Sequence, residues 1–245
     1  MIRIYRNIRF FLSFLAFLSL FCVPAFSNSN DGNPMGRSLE SREMIEAINK
    51  IKDFQKDIYA IRATVYQKKK NPLLKKDIAT EGTIILKKPN LLHWDITSPD
   101  KLTTIIDGKM MWVYHPDLKE VQRYSISEQY MAMQAVEFLL SIINMSVEDI
   151  GKRFDVFAYK QDNNLIFEMK AKSSMVARYL SAIYIWYREG EGVPYKFEVI
   201  GKKGDIATTE FRDVELNPPI KEKTFYFDIP AGVTITNTEN EGRSY

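Results

Sequence analysis

"KPNLLHWDITSPDKLTTIIDGKMMWVYHPD", Lys88 to Asp117, holds three short apolar runs separated by turn residues. The runs are "LLHWDIT", "LTTIID" and "MMWVYH". Pro89-Asn90, Ser98-Pro99-Asp100, Asp107-Gly108 and His115-Pro116-Asp117 bound them, and each of these is turn chemistry. Connections this short join antiparallel neighbours. Alternation sends Leu92, Trp94 and Ile96 to one side of the first run. On the third run, Met110, Trp112 and Tyr114 share a side, and the bulk of that set suggests the same face of the sheet. Ile84 and Leu86, on the preceding run, are expected to join them.

The pattern extends in both directions. "IYAIRATVYQK" and "IATEGTIILKK" read as strands flanking a basic loop, and "EVQRYSI" follows the meander. Strands resume with "RFDVFAYK", "NLIFEMKA", "YLSAIYIWYRE", "PYKFEVIGK", "DIATTEFRDVEL" and "GVTIT". Roughly ten to twelve strands are expected, mainly antiparallel, with few helices. Trp186 and Phe197 lie on two of the later strands and are expected in the same apolar rows.

One helix is expected through "LESREMIEAINKIKDFQK", where Met44, Ile45, Ile48 and Ile51 recur at helical spacing and Ser38 or Ser41 offers a cap. A second is expected inside the meander. "SEQYMAMQAVEFLLSIINMSVEDIG" carries Met131, Met133, Leu139, Ile142 and Ile143 and is apolar nearly all round over "FLLSII". A surface helix shows an apolar stripe and a polar back. A helix without that division is buried on several sides or faces something absent from the chain, as a lid over a lipid-sized cavity does. Flexible thioethers suit such a surface.

The N-terminus reads as a secretory signal peptide. Arg3, Arg6 and Arg9 precede an apolar run from Phe10 to Val23. That run is shorter than the roughly 20 residues of a spanning helix. Ala25 and Ser27 supply a small-x-small cleavage pattern, so cleavage is expected after Ser27. Residues 1–27 are then the signal peptide, 28–37 a flexible leader, and 38–245 a single domain. Cys22, the only cysteine, leaves with the signal peptide, so neither a disulfide nor a cysteine metal site is expected. The whole chain carries a net charge of +3, but without the three arginines basic and acidic residues balance at 31 each. A nucleic-acid binder needs a basic excess, and none is expected to be a partner.

Catalytic patterns are missing. His93 and His115 belong to no metal-ligand spacing, and there is no nucleophile elbow, dinucleotide fingerprint or phosphate-binding loop. Asp95 and Asp107 read as surface or turn carboxylates. No enzyme, cofactor or metal is expected.

The quoted stretch resembles the periplasmic lipoprotein carrier family, LolA. The matching elements are Pro89-Asn90, Trp94, Pro99, Asp107-Gly108-Lys109, Trp112, Tyr114 and Pro116, together with the late "YFDIPAGVTIT" from Tyr226 to Thr236. The resemblance implies an α+β fold, a half-open antiparallel β-barrel with a helical lid. It implies an acyl-chain cavity, here assigned to Ile84, Leu86, Leu92, Trp94, Ile96, Met110, Trp112, Tyr114, Trp186 and Phe197. It also implies a monomer that takes acylated lipoproteins from an inner-membrane ABC transporter to an outer-membrane acceptor, without cofactor or turnover. The family often has Arg before the Pro as a lid latch; Lys88 stands there in this chain, and Lys lacks the planar fork. A lipid-binding or sensing module on the same scaffold, and a degenerate hydrolase, remain alternatives.

Overall fold

A computed structural model describes residues 36–72, 76–126 and 147–237. The chain runs through β1 (Arg37–Ser38), α1 (Ser41–Gln55), β2 (Ala60–Lys70), β3 (Ile78–Lys87), β4 (Leu91–Ser98), β5 (Leu102–Asp107), β6 (Met110–His115) and β7 (Glu120–Ser125). It continues through α2 (Val147–Arg153), β8 (Phe154–Gln161), β9 (Asn164–Ala171), α3 (Ser174–Ala177), β10 (Leu180–Arg188), β11 (Lys196–Gly201), β12 (Ile206–Leu216) and β13 (Thr234–Asn237).

The strands form one sheet in the order β1-β8-β9-β10-β11-β12-β2-β3-β4-β5-β6-β7-β13. Among the described residues the end strands β1 and β13 do not pair, so the sheet is open. The expected mainly-β architecture holds, with two corrections. Among the described residues the sheet has 13 strands, and β13 lies parallel to β7, with Ile235 opposite Val121. The additional strand is β1, where Arg37 pairs with Lys160 of β8 although it was expected in a mobile leader. The predicted signal peptide and the lid residues Met131, Met133, Leu139, Ile142 and Ile143 lie outside the described residues.

The chain groups into two compact units. Among the described residues the first comprises 36–55, 67–72, 76–78 and 147–210, and the second 56–66, 79–126 and 211–237.

In the first unit, α1 buries Ala47, Ile48, Ile51 and Gln55. Ile45, expected in the apolar stripe, is exposed, and Ala47 takes its place. Neither Ser38 nor Ser41 supplies the start signal. Glu43 does, by accepting the Glu40 N–H at 3.1 Å, the return half of a capping box. The Arg37 guanidinium holds Glu43 with two hydrogen bonds and draws its carboxyl down to about 2. At the other end of α1, Gln55 Nε2 donates to the Gly192 carbonyl at 2.7 Å.

In the second unit, the paired motifs of the quoted stretch form one structure. Leu91 stands opposite Asp107, so the Pro-Asn turn before β4 lies beside the Asp-Gly turn after β5. Asp107 Oδ1 accepts the N–H groups of Lys109 at 2.9 Å and Met110 at 2.8 Å, closing a side-chain-capped turn. Asn90 Nδ2 donates to the Gly108 carbonyl at 3.0 Å. Gly108 has φ +96°, and a Cβ there would meet Asn90 Oδ1 at 3.1 Å. Asn90→Ala is therefore expected to cost about 1 kcal/mol, one hydrogen bond. Gly108→Ala should cost about 1–2 kcal/mol from the backbone conformation alone. The double variant should cost less than the sum, because Asn90→Ala also removes the atom that the new Cβ meets. Urea unfolding of the four proteins checks this; strict additivity would mean that the two turns are independent.

Candidate functional site

The ladder pairs of β3 to β7 sort their side chains into two faces. One row runs Leu86, Leu92, Ile106, Met111, Tyr124 across five strands. The next runs Ile84, Trp94, Thr104, Val113, Gln122. A third, shorter row holds Gly82, Ile96 and Leu102. The two long rows are buried, from 0% exposure at Leu86 and Ile106 to 7% at Trp94. Eight of their ten side chains are large and apolar or aromatic. Tyr124 donates its hydroxyl to Gln122 Oε1 at 2.5 Å, so the two polar members at the β7 side satisfy one another.

Ile84, Leu86, Leu92, Trp94 and half-buried Ile96 thus share a face, as expected. Met110, Trp112 and Tyr114 do not join them. Ile105 stands opposite Trp112 and Thr103 opposite Tyr114, which puts this set on the other face. The reason lies in the connection. Gly108 and Lys109 alone separate β5 from β6, which sets Ile106 against Met111. "MMWVYH" is apolar at nearly every position, so bulk favours one parity and turn length the other. Counting outward from the two-residue turn would have given the observed face.

The second face has its own contacts. Trp112 stacks on Phe227 with ring centroids 5.5 Å apart, and Tyr114 tilts against the same ring at 5.7 Å. Trp112 Nε1 donates to Asp107 Oδ2 at 3.3 Å, and the Arg123 guanidinium lies 5.7 Å from its ring centroid. These residues seat the C-terminal segment of the second unit.

His93 serves the same purpose. Its Nδ1 reaches the Thr224 carbonyl at 2.6 Å and its Nε2 reaches Asp95 Oδ2 at 2.7 Å. Both partners only accept, so the protonated imidazole, with a donor on each ring nitrogen, satisfies both contacts. The Asp95 hydrogen bond raises the His93 pKa, against burial. Burial opposes charge on Asp95, but hydrogen bonds from His93 and from Thr103 Oγ1, at 2.6 Å, hold its carboxyl below the ordinary value. Asp95 is a partly buried partner here rather than a simple surface carboxylate.

In the first unit Trp186 and Phe197 also part company. Ile185 stands opposite Phe197, and Trp186 opposite Lys196. Phe197 shares its face with Ile185 and Phe167, all buried. Trp186, also buried, lies under the Lys196 ammonium, 3.6 Å from its ring centroid, opposite buried Ile166 on the face that also carries polar contacts. On that face Glu168 accepts from Tyr159 at 2.8 Å and Tyr184 at 2.9 Å and pairs with Lys170 at 3.0 Å. Burial opposes its charge, but these partners keep its carboxyl below the usual range. Lys88 is half-buried, its ammonium pKa is lowered by burial, and its N–H donates to the Tyr59 carbonyl at 2.8 Å.

Among the described residues no three His, Cys, Asp or Glu side chains group to hold a metal ion, and no helix is long and apolar enough to cross a membrane. The ordered feature is the pair of buried apolar rows that β3 to β7 carry on one face of an open sheet. The family model for outer membrane lipoprotein carrier protein LolA matches residues 57–228, and the chain belongs to that family. It is 29% identical over 160 residues to the outer-membrane lipoprotein carrier protein of Vibrio vulnificus, covering 65% of this chain and 74% of that protein. It is 24% identical over 230 residues to the one from Pseudomonas putida, covering 94% and 98%. An uncharacterized conserved protein from Thermus thermophilus has a crystal structure similar at TM-score 0.50 and 10% identity, over 80% of this chain and 99% of that one. That likeness speaks for the fold alone.

The His93 clamp makes stability depend on pH in a defined direction. The His93 pKa is raised from 6.5, so the stability of its charged form is complete below 6.5 and is lost as pH climbs through the raised value. The Asp95 pKa is lowered from 3.8, so its share is complete above 3.8 and is lost as pH falls through the lowered value. The stability difference between wild type and His93→Gln, from urea unfolding, should be largest between these two values and shrink in alkali. A difference independent of pH would mean that His93 is neutral.

Proposed function

We propose that this chain is a periplasmic carrier that holds the acyl chains of lipoproteins against the β3–β7 apolar face and moves them from the inner to the outer membrane. The observation that carries this is the family match over residues 57–228, and the rows led by Leu86–Leu92–Ile106–Met111 and Ile84–Trp94–Val113 offer a face of matching apolar chemistry. Acyl burial is worth roughly 0.8 kcal/mol per methylene, so contact along such a face retains cargo without a charged group or a covalent bond. Family membership supports the same reading. The chain acts by binding, not catalysis, and takes cargo from an inner-membrane lipoprotein-releasing ABC transporter and passes it to an outer-membrane acceptor. The apolar run of Met131, Met133, Leu139, Ile142 and Ile143 is its lid, on sequence grounds, and Lys88 its latch.

Cavity and solid core respond differently to added bulk. Val113→Phe in a filled core costs about 1–3 kcal/mol by overpacking. In a cavity that accepts acyl chains it should leave stability within about 1 kcal/mol of wild type and weaken binding of a fluorescent acylated lipopeptide. Marked destabilisation with unchanged binding per folded molecule would refute the assignment. Retention of free lipid but of no triacylated lipoprotein would assign the chain to lipid binding without lipoprotein transport.

A further inference from the structure

Several connections meet at one end of the first unit. β8 begins at Phe154 and β9 ends at Ala171, and these two residues pair. β10 begins at Leu180 and β11 ends at Gly201, and these also pair. The connections at this end are therefore α2 leading into β8, α3 between β9 and β10, and the turn between β11 and β12. Backbone hydrogen bonds tie them together. The Lys172 N–H donates to the Arg153 carbonyl at 3.0 Å, and the Lys202 N–H to the Tyr179 carbonyl at 2.9 Å. A Cβ on Gly204 would lie 3.5 Å from Pro72 Cγ, so the basic β2–β3 connection reaches the same end.

α3 has four residues and buries none of them. Met175 is 72% exposed, Val176 40% and Tyr179 46%. Single exposed apolar residues are ordinary, but three within five positions on one exposed turn form a patch. Cations surround it. Arg178 lies within the patch and Lys202 beside Tyr179, both exposed. Lys152 and Arg153 end α2, and Lys70 and Lys76 flank the Pro72 connection; all four are exposed. Nearby acids are largely engaged. Asp77 pairs with Lys68 at 2.9 Å and Asp155 with Lys172 at 3.6 Å. The Asp205 carboxylate lies against Gly201. Glu148 and Asp149 lie one helical turn before Lys152 and Arg153 and offset them, so Arg178 and Lys202 carry most of the charge beside the patch.

We infer that this end docks on the face of a bilayer bearing anionic headgroups, with Met175, Val176 and Tyr179 entering the headgroup layer and the surrounding Lys and Arg residues meeting its phosphates. The occupant follows from the form of the surface. The apolar patch is small and exposed, which suits insertion into a soft layer, and a Tyr places its ring and hydroxyl at such a boundary. The charge comes from separate connections spread round the tip, which matches a plane of diffuse negative charge. The inference goes beyond cargo binding and needs no acylated protein for its test.

Co-sedimentation of the purified, processed protein with vesicles provides that test. Vesicles of phosphatidylethanolamine containing phosphatidylglycerol should bind it, and binding should weaken as salt rises. Vesicles of zwitterionic phosphatidylcholine should bind it far less. Arg178→Glu with Lys202→Glu should lower the partition coefficient at least about 25-fold, since each basic residue near such a surface contributes roughly fivefold. Met175→Ser with Tyr179→Ser should lower partitioning but leave its salt dependence. All four positions are exposed, so circular dichroism and urea midpoints should be unchanged. Equal binding to both vesicle types, or variants that partition like wild type, would overturn the inference. Binding to neither vesicle would also overturn it and leave the surface to a protein partner.

Discussion

A β-strand has two faces, and its residues alternate between them, so one ladder pair assigns every side chain on both strands. The pair of Ile106 with Met111 does this for β5 and β6. It follows from the two-residue turn that Asp107 caps through the Lys109 and Met110 N–H groups. A shift of one residue would carry Trp112 and Tyr114 into the apolar rows and turn Met111 and Val113 outward. The turn chemistry therefore decides what the buried face is made of.

The division it creates recurs in each unit. In the second, the face opposite the apolar rows carries His93, Asp95, Trp112 and Tyr114, which engage Thr224 and Phe227 of the C-terminal segment. In the first, Phe167, Ile185 and Phe197 are buried on one face, while the other carries buried Ile166 and Trp186 together with the Glu168 cluster and the Lys196 contact. Aromatic residues thus appear on both faces of the sheet for different reasons. Some face the buried apolar rows, and others anchor segments that lie over the outside.

Much of the fold was legible because its signals are local. Turn residues bounded β4, β5 and β6, and "LTTIID", "MMWVYH" and "NLIFEMKA" coincide with β5, β6 and β9. β1 was not legible, because two residues carry no periodicity and depend on partners more than a hundred positions away. Ile45 was misread because the α1 stripe turns toward Ala47, a small residue that weighs little in any hydrophobic pattern. The candidate site was half legible. Ile84, Leu86, Leu92 and Trp94 came from clean alternation. Ile106, Met111 and Val113 were missed because they sit beside larger apolar neighbours on strands where both parities look greasy. Tyr124 and Gln122 join the face through pairing alone. The patch on α3 lay in a four-residue helix too short to show a period.

The most direct measurement is to bind a lipopeptide with a photoreactive acyl chain, irradiate it, and map the adducts by peptide mass spectrometry. Adducts on Leu92, Ile106, Met111 and Val113 are predicted. Adducts concentrated on Met110, Trp112 and Tyr114 would contradict the account, because they would put the acyl chain on the opposite face of the sheet.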